Sequence, residues 1–301
     1  MSEPVFHPHL RAARFLPRTT VGPRNLRLLR AGTRLAGLVS RSGTQTVRID
    51  GDVTVRLFRP PVPRHPAPAL LWIHGGGMVI GNALQDTRLC RHWAARLGIL
   101  VASVEYRLAP EHPFPAPLED CHTALRWLAA RPDVDAGRIA IGGASAGGGL
   151  AAALALLARE RDTIRPALQL LSYPMLDDRT AARTDIDTRR LRMWNNTSNR
   201  FGWRAYLGTA AAGPVPPLAA PARHDDLSGT APAWIGVGTN DLFHDEDTAY
   251  ADRLRQAGVP CTLHIVPGAY HGFDVVEAKA PVSRDYLRAQ TTALATALNV
   301  P

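Results

Sequence analysis

Lysine is almost absent from this sequence of 301 residues. Lys279 is the single lysine among 35 basic residues, and the arginines are scattered among 26 acidic residues. A surface that binds nucleic acid needs clustered basic residues. Because the basic residues of this sequence are scattered, we expect no nucleic-acid partner in spite of the net charge of +9. So strong a preference for arginine indicates a GC-rich genome rather than a ligand.

Cysteine is scarce as well. Cys90, Cys121 and Cys261 are odd in number, lie far apart and form no C-x-x-C pair. This pattern argues against a disulfide framework and against a zinc knuckle. We therefore expect ordinary packed thiols.

The sequence also lacks long apolar runs and the common cofactor motifs. The first thirty residues hold no apolar core of a signal peptide, and no segment approaches the about 20 apolar residues of a membrane span. No G-x-G-x-x-G is completed, no H-E-x-x-H occurs, and Lys279 follows an alanine, which excludes a Walker lysine. We expect a cytoplasmic protein without stable membrane insertion, cofactor or metal.

What the sequence does contain is a serine between glycines, at the junction of a strand pattern and a helix pattern. Residues 139–141 form a short apolar run before the motif Gly143-x-Ser145-x-Gly147, and residues 150–158 after it are strong helix formers. This order predicts a nucleophile elbow, which holds the serine in a strained conformation at a helix N-terminus. The alternative is a small-residue turn where a helix packs tightly on a sheet.

Hydrophobic periodicity predicts strands and helices in alternation. Residues 46–58 alternate between apolar and polar side chains, which is typical of half-buried strands, whereas residues 69–73 form a continuous apolar run, typical of a strand covered on both faces. Further strands are predicted at residues 99–104, 139–141, 167–173, 233–237 and 261–266, and helices at residues 82–97, 117–130, 245–257 and 282–298. The alternation favours an α/β fold, with a mainly parallel central sheet flanked by helices.

Two segments interrupt the alternation. The first is an arginine-rich N-terminal arm with leucines at roughly helical spacing. The second is the interval of 59 residues between Tyr173 and Ala233, which is too long for a plain crossover and holds Trp194 and Phe201. This interval forms an extra packed helix or a cover over a pocket, and one segment can do both. The predicted division is a helical arm or cap at residues 1–44, a core at residues 45–177 and 212–301, and a cap insertion at residues 178–211.

Asp241 and Asp245 are two candidates for the carboxylate that would pair with a catalytic histidine. Asp241 follows the predicted strand 233–237, at the edge where ligands of open α/β sheets bind. Asp245 lies where the next helix begins, so we expect it to be an N-cap or first-turn acid. His271 lies in a turn-forming loop after the last strand, whereas several other histidines fall inside helix or strand patterns. We therefore predict that Asp241 and His271 are the partners of Ser145.

These three residues meet the requirements of nucleophilic catalysis. A serine hydroxyl is a poor nucleophile until a neutral imidazole takes its proton, and a carboxylate fixes the imidazole tautomer and stabilises the imidazolium. The chain order Ser145, Asp241, His271 is that of an α/β-hydrolase triad.

A triple glycine follows the apolar strand 69–73. Because Gly76 and Gly77 lack side chains, their backbone N–H groups are free to face the serine. Together with the N–H of Ala146 they are expected to form an oxyanion hole. A glycine-rich turn alone is more often a steric requirement, but its combination with the downstream serine motif is specific.

Four motifs carry a resemblance to a known family. They are His74-Gly75-Gly76-Gly77, Tyr106-Arg107-Leu108-Ala109-Pro110-Glu111, Gly143-Ala144-Ser145-Ala146-Gly147-Gly148 and His271-Gly272-Phe273. Together they resemble the bacterial hormone-sensitive-lipase-like esterases, also called family IV, and mycobacterial and other actinobacterial members look most similar. The resemblance runs from about residue 45 to residue 298. It implies an α/β-hydrolase fold, the triad and oxyanion hole named above, no metal, and a cap made from the arm and the insertion.

The resemblance further implies a serine carboxylic ester hydrolase for short- to medium-chain acyl esters. Its small-molecule substrate is expected to contact Met78, Tyr173, Trp194 and Phe201. Cis peptide bonds are expected at Ala109–Pro110 and Phe114–Pro115. A homodimer is compatible with this interpretation.

The sequence departs from the family pattern at two places. Ala144 precedes the nucleophile where Asp or Thr is usual, and Leu242-Phe243 replaces Pro-Leu after Asp241, so the fine substrate class stays open. An amidase, lactonase or deacetylase of a specific metabolite would use the same triad. A non-catalytic ligand-binding protein on this scaffold is the alternative from another class, but receptors of that kind lack the histidine that this sequence has at 271.

Overall fold

An eight-stranded sheet forms the centre of the computed structural model, which describes residues 6–39, 44–51, 53–62, 64–161 and 164–301. Its strands are β1 (Gln45–Asp50), β2 (Val53–Phe58), β3 (Ala67–Ile73), β4 (Leu100–Glu105), β5 (Val134–Ala144), β6 (Leu168–Ser172), β7 (Ala233–Asn240) and β8 (Cys261–Tyr270). They lie in the order β1-β2-β4-β3-β5-β6-β7-β8. β2 pairs antiparallel with β1 and β4, and all other neighbours pair parallel. The predicted α/β fold with a mainly parallel sheet is confirmed.

The middle of the sheet consists of short apolar strands that are buried on both faces. Every residue of β3 and of β6 is buried. Leu71 and Ile73 belong to one hydrophobic cluster, and Leu70 and Trp72 belong to a second. Because successive side chains of a strand point to opposite faces, a continuous apolar run is what a two-sided strand requires.

Helices cover both faces of the sheet. They are α1 (Leu26–Val39), α2 (Thr87–Leu97), α3 (Ala116–Ala129), α4 (Ala146–Arg161), α5 (Asn196–Leu207), α6 (His244–Gln256), α7 (Phe273–Val276) and α8 (Pro281–Leu298). α4 is buried from its first residue to Ala158, because its glycines and alanines let it approach the strands closely. Within the described parts of the chain, no helix is both long and apolar enough to cross a membrane.

Several boundaries differ from the sequence prediction. The helix predicted over residues 82–97 begins only at Thr87. Side chains form a turn before it, since Asn82 Oδ1 accepts the N–H of Leu84 at 2.9 Å and Thr87 Oγ1 donates to the carbonyl of Leu84 at 2.6 Å. The last strand continues to Tyr270, past its predicted end at residue 266, so the loop that carries the predicted histidine is shorter than expected.

The arm and the insertion contact each other, and we call them together the cap. The backbone N–H of Met193 donates to the carbonyl of Pro17 at 2.8 Å, and Ser198 Oγ donates to the carbonyl of Val21 at 3.0 Å. These hydrogen bonds join segments that are far apart in the sequence. The division of the chain at residues 44, 177 and 211 stays a prediction.

The proline-rich loop after β4 has the geometry that the resemblance implies. The peptide bonds Ala109–Pro110 and Phe114–Pro115 are cis, which confirms the prediction. At the start of this loop Arg107 forms a bidentate ion pair with Asp120, with Nη2 at 2.7 Å from Oδ1 and Nε at 2.9 Å from Oδ2. The loop is thereby tied to α3.

The three cysteines are packed thiols, as the sequence predicts. Cys90 and Cys121 are buried, Cys261 is partly buried, and all three are free. Burial raises the pKa of the Cys261 thiol to about 11, so this thiol stays protonated at neutral pH.

Candidate active site

Ser145 occupies a sharp turn between β5 and α4. Its backbone φ is +57°, a left-handed conformation that a residue other than glycine adopts only under constraint. A Cβ at Gly143 would lie 2.3 Å from the carbonyl oxygen of Gly147, and a Cβ at Gly147 would lie 2.1 Å from that of Ile73. Strand and helix can pass so closely only without side chains. The two alternatives for this segment, a tight small-residue turn and a nucleophile elbow, therefore describe the same turn.

Ser145, His271 and Asp241 form a continuous chain of hydrogen bonds. Ser145 Oγ lies 2.9 Å from His271 Nε2, and His271 Nδ1 lies 2.8 Å from Asp241 Oδ2. The other carboxylate oxygen of Asp241 accepts the backbone N–H of Phe243 at 3.0 Å, which fixes the carboxylate plane. The Asp241 side chain is fully buried and that of His271 is 9% exposed. The structure thus brings together three residues that follow directly on β5, β7 and β8.

Asp245, the competing carboxylate, points away from this chain. It lies in the first turn of α6, and its side chain is 56% exposed. It forms a hydrogen bond with His244 and an ion pair with Arg183 at 2.8 Å, and both partners hold the pKa of its carboxyl below the usual value. The prediction of a first-turn acid at 245 is confirmed.

The glycine loop after β3 lies against the serine turn. Gly76 and Gly77 have φ values of +124° and +59°, which glycine adopts without strain. A Cβ at Gly75 would lie 2.9 Å from the carbonyl oxygen of Ala144, so the loop and the turn are in contact. On the other side of the serine, α4 begins at Ala146, and first-turn N–H groups have no acceptor within their own helix. The three predicted donors therefore lie at one edge of the sheet.

His74 supports this loop from the buried side. A ring N–H at Nδ1 donates to the carbonyl of Gly75 at 2.8 Å, and the ring stacks on Tyr106 at a centroid distance of 4.2 Å. The Tyr106 hydroxyl donates to the carbonyl of His74 at 2.9 Å. Burial lowers the pKa of His74 to about 4, so the imidazole is neutral at pH 7. The sequence identified His74 only as part of a motif. Its contacts with Gly75 and Tyr106 are visible only in the structure.

Aromatic rings surround the imidazole of His271. Tyr173 and Phe243 make edge contacts with it at centroid distances of 4.8 Å and 5.2 Å. Trp194 approaches it from the insertion at 6.3 Å, and a Cβ at Gly77 would lie 2.2 Å from Cη2 of the Trp194 ring. Trp194 therefore rests on both the histidine and the glycine loop, and only 6% of Ser145 is exposed beneath it.

The four residues predicted to bind substrate fall into two pairs. Tyr173 and Trp194 lie against His271, as described above. Met78 follows Gly77 with a φ of +64° and is 1% exposed, so its side chain belongs to the packing beside the glycine loop. Phe201 is half-buried on α5 and packs against the larger hydrophobic cluster.

Sequence reasoning missed a carboxylate beside the histidine. Asp274, three residues after His271, accepts a hydrogen bond from the Tyr173 hydroxyl at 2.7 Å. Loss of hydration raises the pKa of Asp274. Loss of hydration also raises the pKa of Asp86 to about 6. Asp86 accepts a hydrogen bond from Trp72 Nε1 at 2.8 Å. The only sequence signal was an aspartate next to the His-Gly-Phe motif, which does not reveal the contact with Tyr173.

This chain is similar to known alpha/beta hydrolases and esterases. A family model described as the alpha/beta hydrolase fold matches residues 70–275. The esterase LipI of Mycobacterium tuberculosis is 35% identical over 236 residues, which cover 74% of this chain and 71% of LipI. The ethyl acetate hydrolase of Pseudomonas putida is 36% identical over 235 residues, which cover 76% and 73% of the two chains. Among solved structures, a bacterial heroin esterase has a TM-score of 0.88 at 38% identity and covers 98% of both chains.

Proposed function

Because this chain belongs to the alpha/beta hydrolase fold family, we propose that it hydrolyses short- to medium-chain acyl esters through an acyl-serine intermediate. The resemblance to hormone-sensitive-lipase-like esterases is confirmed, with mycobacterial esterases among the relatives, and the chain is a carboxylesterase-like serine hydrolase. The observation that carries the finer proposal is the hydrogen-bonded chain from Ser145 through His271 to Asp241.

The first half of the proposed reaction forms the acyl-enzyme. His271 Nε2 accepts the proton of Ser145 Oγ while this oxygen bonds to the carbonyl carbon of the ester. Asp241 holds the imidazole in the tautomer whose Nε2 carries a lone pair, and it stabilises the imidazolium. His271 then donates the proton to the alcohol oxygen, the carbon–oxygen bond of the ester breaks, and the alcohol leaves.

The second half releases the acid. A water molecule gives a proton to His271 Nε2 and attacks the acyl carbon, and the proton returns to Ser145 Oγ as the acid departs. In both halves the carbonyl oxygen becomes negatively charged. The N–H groups of Gly76, Gly77 and Ala146 are the proposed donors to this oxyanion, and removal of one such donor typically costs about 10²–10³-fold in kcat.

The proposed range of acyl chains follows from the cap. Trp194 rests on Gly77 next to the proposed oxyanion hole, so a long acyl chain has to displace its ring or pass beside it. Trp194 and Tyr173 are the proposed walls of the pocket. The similar protein from Pseudomonas putida is named for ethyl acetate, a short-chain ester.

A series of nitrophenyl esters from acetyl to lauroyl tests the proposal. We expect kcat/KM to be highest for the short and medium chains and to decline towards lauroyl, and we expect Ser145→Ala to lower kcat by about 10⁵-fold or more while the protein stays folded. A matched ester and amide with the same acyl group separates an esterase from an amidase. Full turnover by Ser145→Ala, or faster cleavage of the amide, would contradict the proposal.

Three further expectations stay predictions from the sequence. They are a cytoplasmic location, the absence of a nucleic-acid partner, and a homodimer. Size-exclusion chromatography with light scattering tests the last of these directly.

A further inference from the structure

Positive charge is concentrated in the N-terminal arm. Residues 1–44 contain eight arginines and one acidic residue, Glu3, which is a formal charge of +7 against +9 for the whole chain. The remainder of the chain therefore carries only +2. The even scatter of arginines among acidic residues, which holds for the chain as a whole, does not hold for this segment. A charge asymmetry of this kind points to an interaction with an anionic partner.

Most of the arm arginines that the structure describes are exposed and form no ion pair with a carboxylate. Within residues 6–39 as described, the ion pair of Arg30 with Glu111 at 2.8 Å is the one recorded between an arginine and an acidic side chain. In the core, by contrast, arginines such as Arg107 and Arg223 pair with aspartates at 2.7 Å and 2.6 Å. The exposed arm arginines are Arg11, Arg14, Arg18, Arg24 and Arg27.

Apolar side chains of the arm are exposed as well. Leu28 and Leu35 of α1 are 75% and 67% exposed, and Ala31 between them is exposed as well. The spacing i, i+3, i+7 places them on one face of the helix. The opposite face is anchored to the core, since Leu26 is buried and Arg30 Nε donates to the carbonyl of Val79 at 2.7 Å. The exposed stripe is therefore a fixed outer surface and contributes nothing to the packing of the core.

A small basic cavity lies at the start of the same arm. It has a volume of about 460 Å³ and is lined by Arg11, Arg14 and Arg192, with no acidic residue among its lining side chains. Phe15, next to Arg14, is 83% exposed. Arg192 is buried and donates to the backbone carbonyls of Arg189 and Leu191, so Arg11 and Arg14 are the exposed guanidinium groups at this cavity. Beside the Phe15 ring they suit a phosphate that is attached to an apolar tail, because guanidinium binds phosphate in a bidentate manner.

From this combination we propose that the arm docks the enzyme on the surface of a bilayer that contains anionic phospholipid. Leu28, Leu35 and Phe15 enter the interface, and the exposed arginines bind headgroup phosphates. A basic amphipathic helix with an apolar face lies in the plane of such an interface without spanning it. A nucleic acid would use the charge but not the exposed leucines, so the lipid surface explains both observations together.

Docking of the arm would bring the active site to its substrate. The arm packs on the insertion through Pro17 and Val21, and the insertion places Trp194 over His271. A surface that holds the arm therefore also holds the cap beside the lipid, where esters that partition into the bilayer are concentrated. The proposal concerns binding alone, so it is tested without turnover and does not depend on the proposed ester hydrolysis.

Co-sedimentation of the full chain with vesicles tests the proposal. Vesicles of phosphatidylcholine with phosphatidylglycerol should bind the protein at low ionic strength, and vesicles of phosphatidylcholine alone should bind at least tenfold less. Each arginine near an anionic surface contributes about fivefold to the partition coefficient, so Arg11→Gln/Arg14→Gln should bind about 25-fold less tightly. Leu28→Ser/Leu35→Ser keeps the charge and should bind about tenfold less tightly.

A matched variant controls for net charge. Arg91→Gln/Arg96→Gln on α2 removes the same two charges from exposed positions outside the arm, and it should bind like the wild type. Circular dichroism and thermal unfolding establish that each variant is folded before it is compared. Equal losses in the arm and α2 variants, equal binding to neutral vesicles, or no binding at low ionic strength would overturn the proposal.

Discussion

Different constraints position the residues at the carboxyl ends of the strands and the residues of the cap. At the strand ends the backbone does so, because the turn at Ser145 closes only where a Cβ is missing at Gly147. In the cap, contacts between distant segments do so. Ser198 Oγ bonds the backbone of Val21, the N–H of Met193 donates to the carbonyl of Pro17, and the Trp194 ring rests on Gly77. A backbone constraint leaves a short motif in the sequence, whereas a contact between distant segments leaves no local pattern.

This difference has a functional consequence. Residues at the strand ends carry the proposed chemistry and have little freedom to change, because their neighbours leave no space. In the cap, Trp194 is a proposed wall of the space above the serine, and its ring lies against Gly77. We therefore expect substitutions at the strand ends to abolish activity or folding, and substitutions of cap residues that face the serine, such as Trp194, to shift substrate preference.

The largest expected effect separates two aspartates that are four positions apart. Asp241→Asn removes the negative charge beside His271 and should lower kcat by about 10⁴-fold, because the imidazole loses its required tautomer. Asp245→Asn removes an exposed carboxylate that does not contact His271, and kcat should stay within about twofold. Steady-state kinetics on a short-chain ester measures both. A severe loss in Asp245→Asn with an active Asp241→Asn would reverse the assignment.

The next effect contrasts one glycine at the strand ends with one in the arm. Gly147→Ala places a Cβ 2.1 Å from the carbonyl oxygen of Ile73 and should lower the free energy of unfolding by about 3 kcal/mol. For Gly22→Ala, no described heavy atom lies within 4 Å of the new Cβ, and the change should stay within about 0.5 kcal/mol. Urea denaturation compares the two variants. Equal stability would mean that the turn is not constrained as described.

A third effect concerns pH and the neutral imidazole beneath the glycine loop. Burial lowers the pKa of His74 to about 4, whereas an unfolded histidine titrates near 6.5. Below pH 6.5 the unfolded chain therefore binds the proton first, and the stability contributed at neutral pH is lost as the pH falls from 6.5 towards 4. By pH 4.5 this loss should reach about 2–3 kcal/mol.

The variant His74→Asn isolates this effect. Buried acids such as Asp86 and Glu246, whose pKa values burial raises to about 6 and about 8, titrate in both proteins and cancel in the difference. The measurement is the free energy of unfolding of wild type and variant between pH 7 and pH 4.5. Parallel curves would show that His74 is not buried in its neutral form.

The smallest expected effect lies in the cap. Trp194→Ala should raise kcat/KM for the longer acyl chains relative to acetyl and so weaken the decline with acyl length, because each methylene that enters the vacated space contributes about 0.8 kcal/mol, or roughly fourfold. Trp203→Ala removes an equally buried indole that lies on α5, and it should lower stability without changing the slope. A change of slope in both variants, or in neither, would reduce Trp194 to a packing residue.

The sequence predicts the strand ends better than the cap, and the reason is physical. Ser145 and the glycine loop each lie in a short motif that the backbone geometry requires, and Asp241 and His271 follow directly on apolar strands. The support of His74 by Tyr106 and the contact of Asp274 with Tyr173 join residues that are distant in the chain, so no periodicity reveals them. The late start of α2 at Thr87 depends on side-chain hydrogen bonds that compete with the helix.

The exposed surface of the arm shows the same limit. The sequence places Leu26, Leu28 and Leu35 at roughly helical spacing, which predicts a helix but does not say which of them is buried. The structure buries Leu26 and leaves Leu28 and Leu35 exposed. Periodicity identifies an apolar stripe, but only the packing of the arm on the core decides which side of the helix is covered.

Intact-mass analysis of a quenched reaction tests the proposed chemistry most directly. The wild-type protein, mixed with nitrophenyl acetate and quenched in acid within milliseconds, should carry one acetyl group, and peptide mapping should locate it on Ser145. Ser145→Ala should carry none under the same conditions, and Asp241→Asn should accumulate it far more slowly. Turnover without any acetylated protein, or acetylation at another residue, would contradict an acyl-serine mechanism at this site.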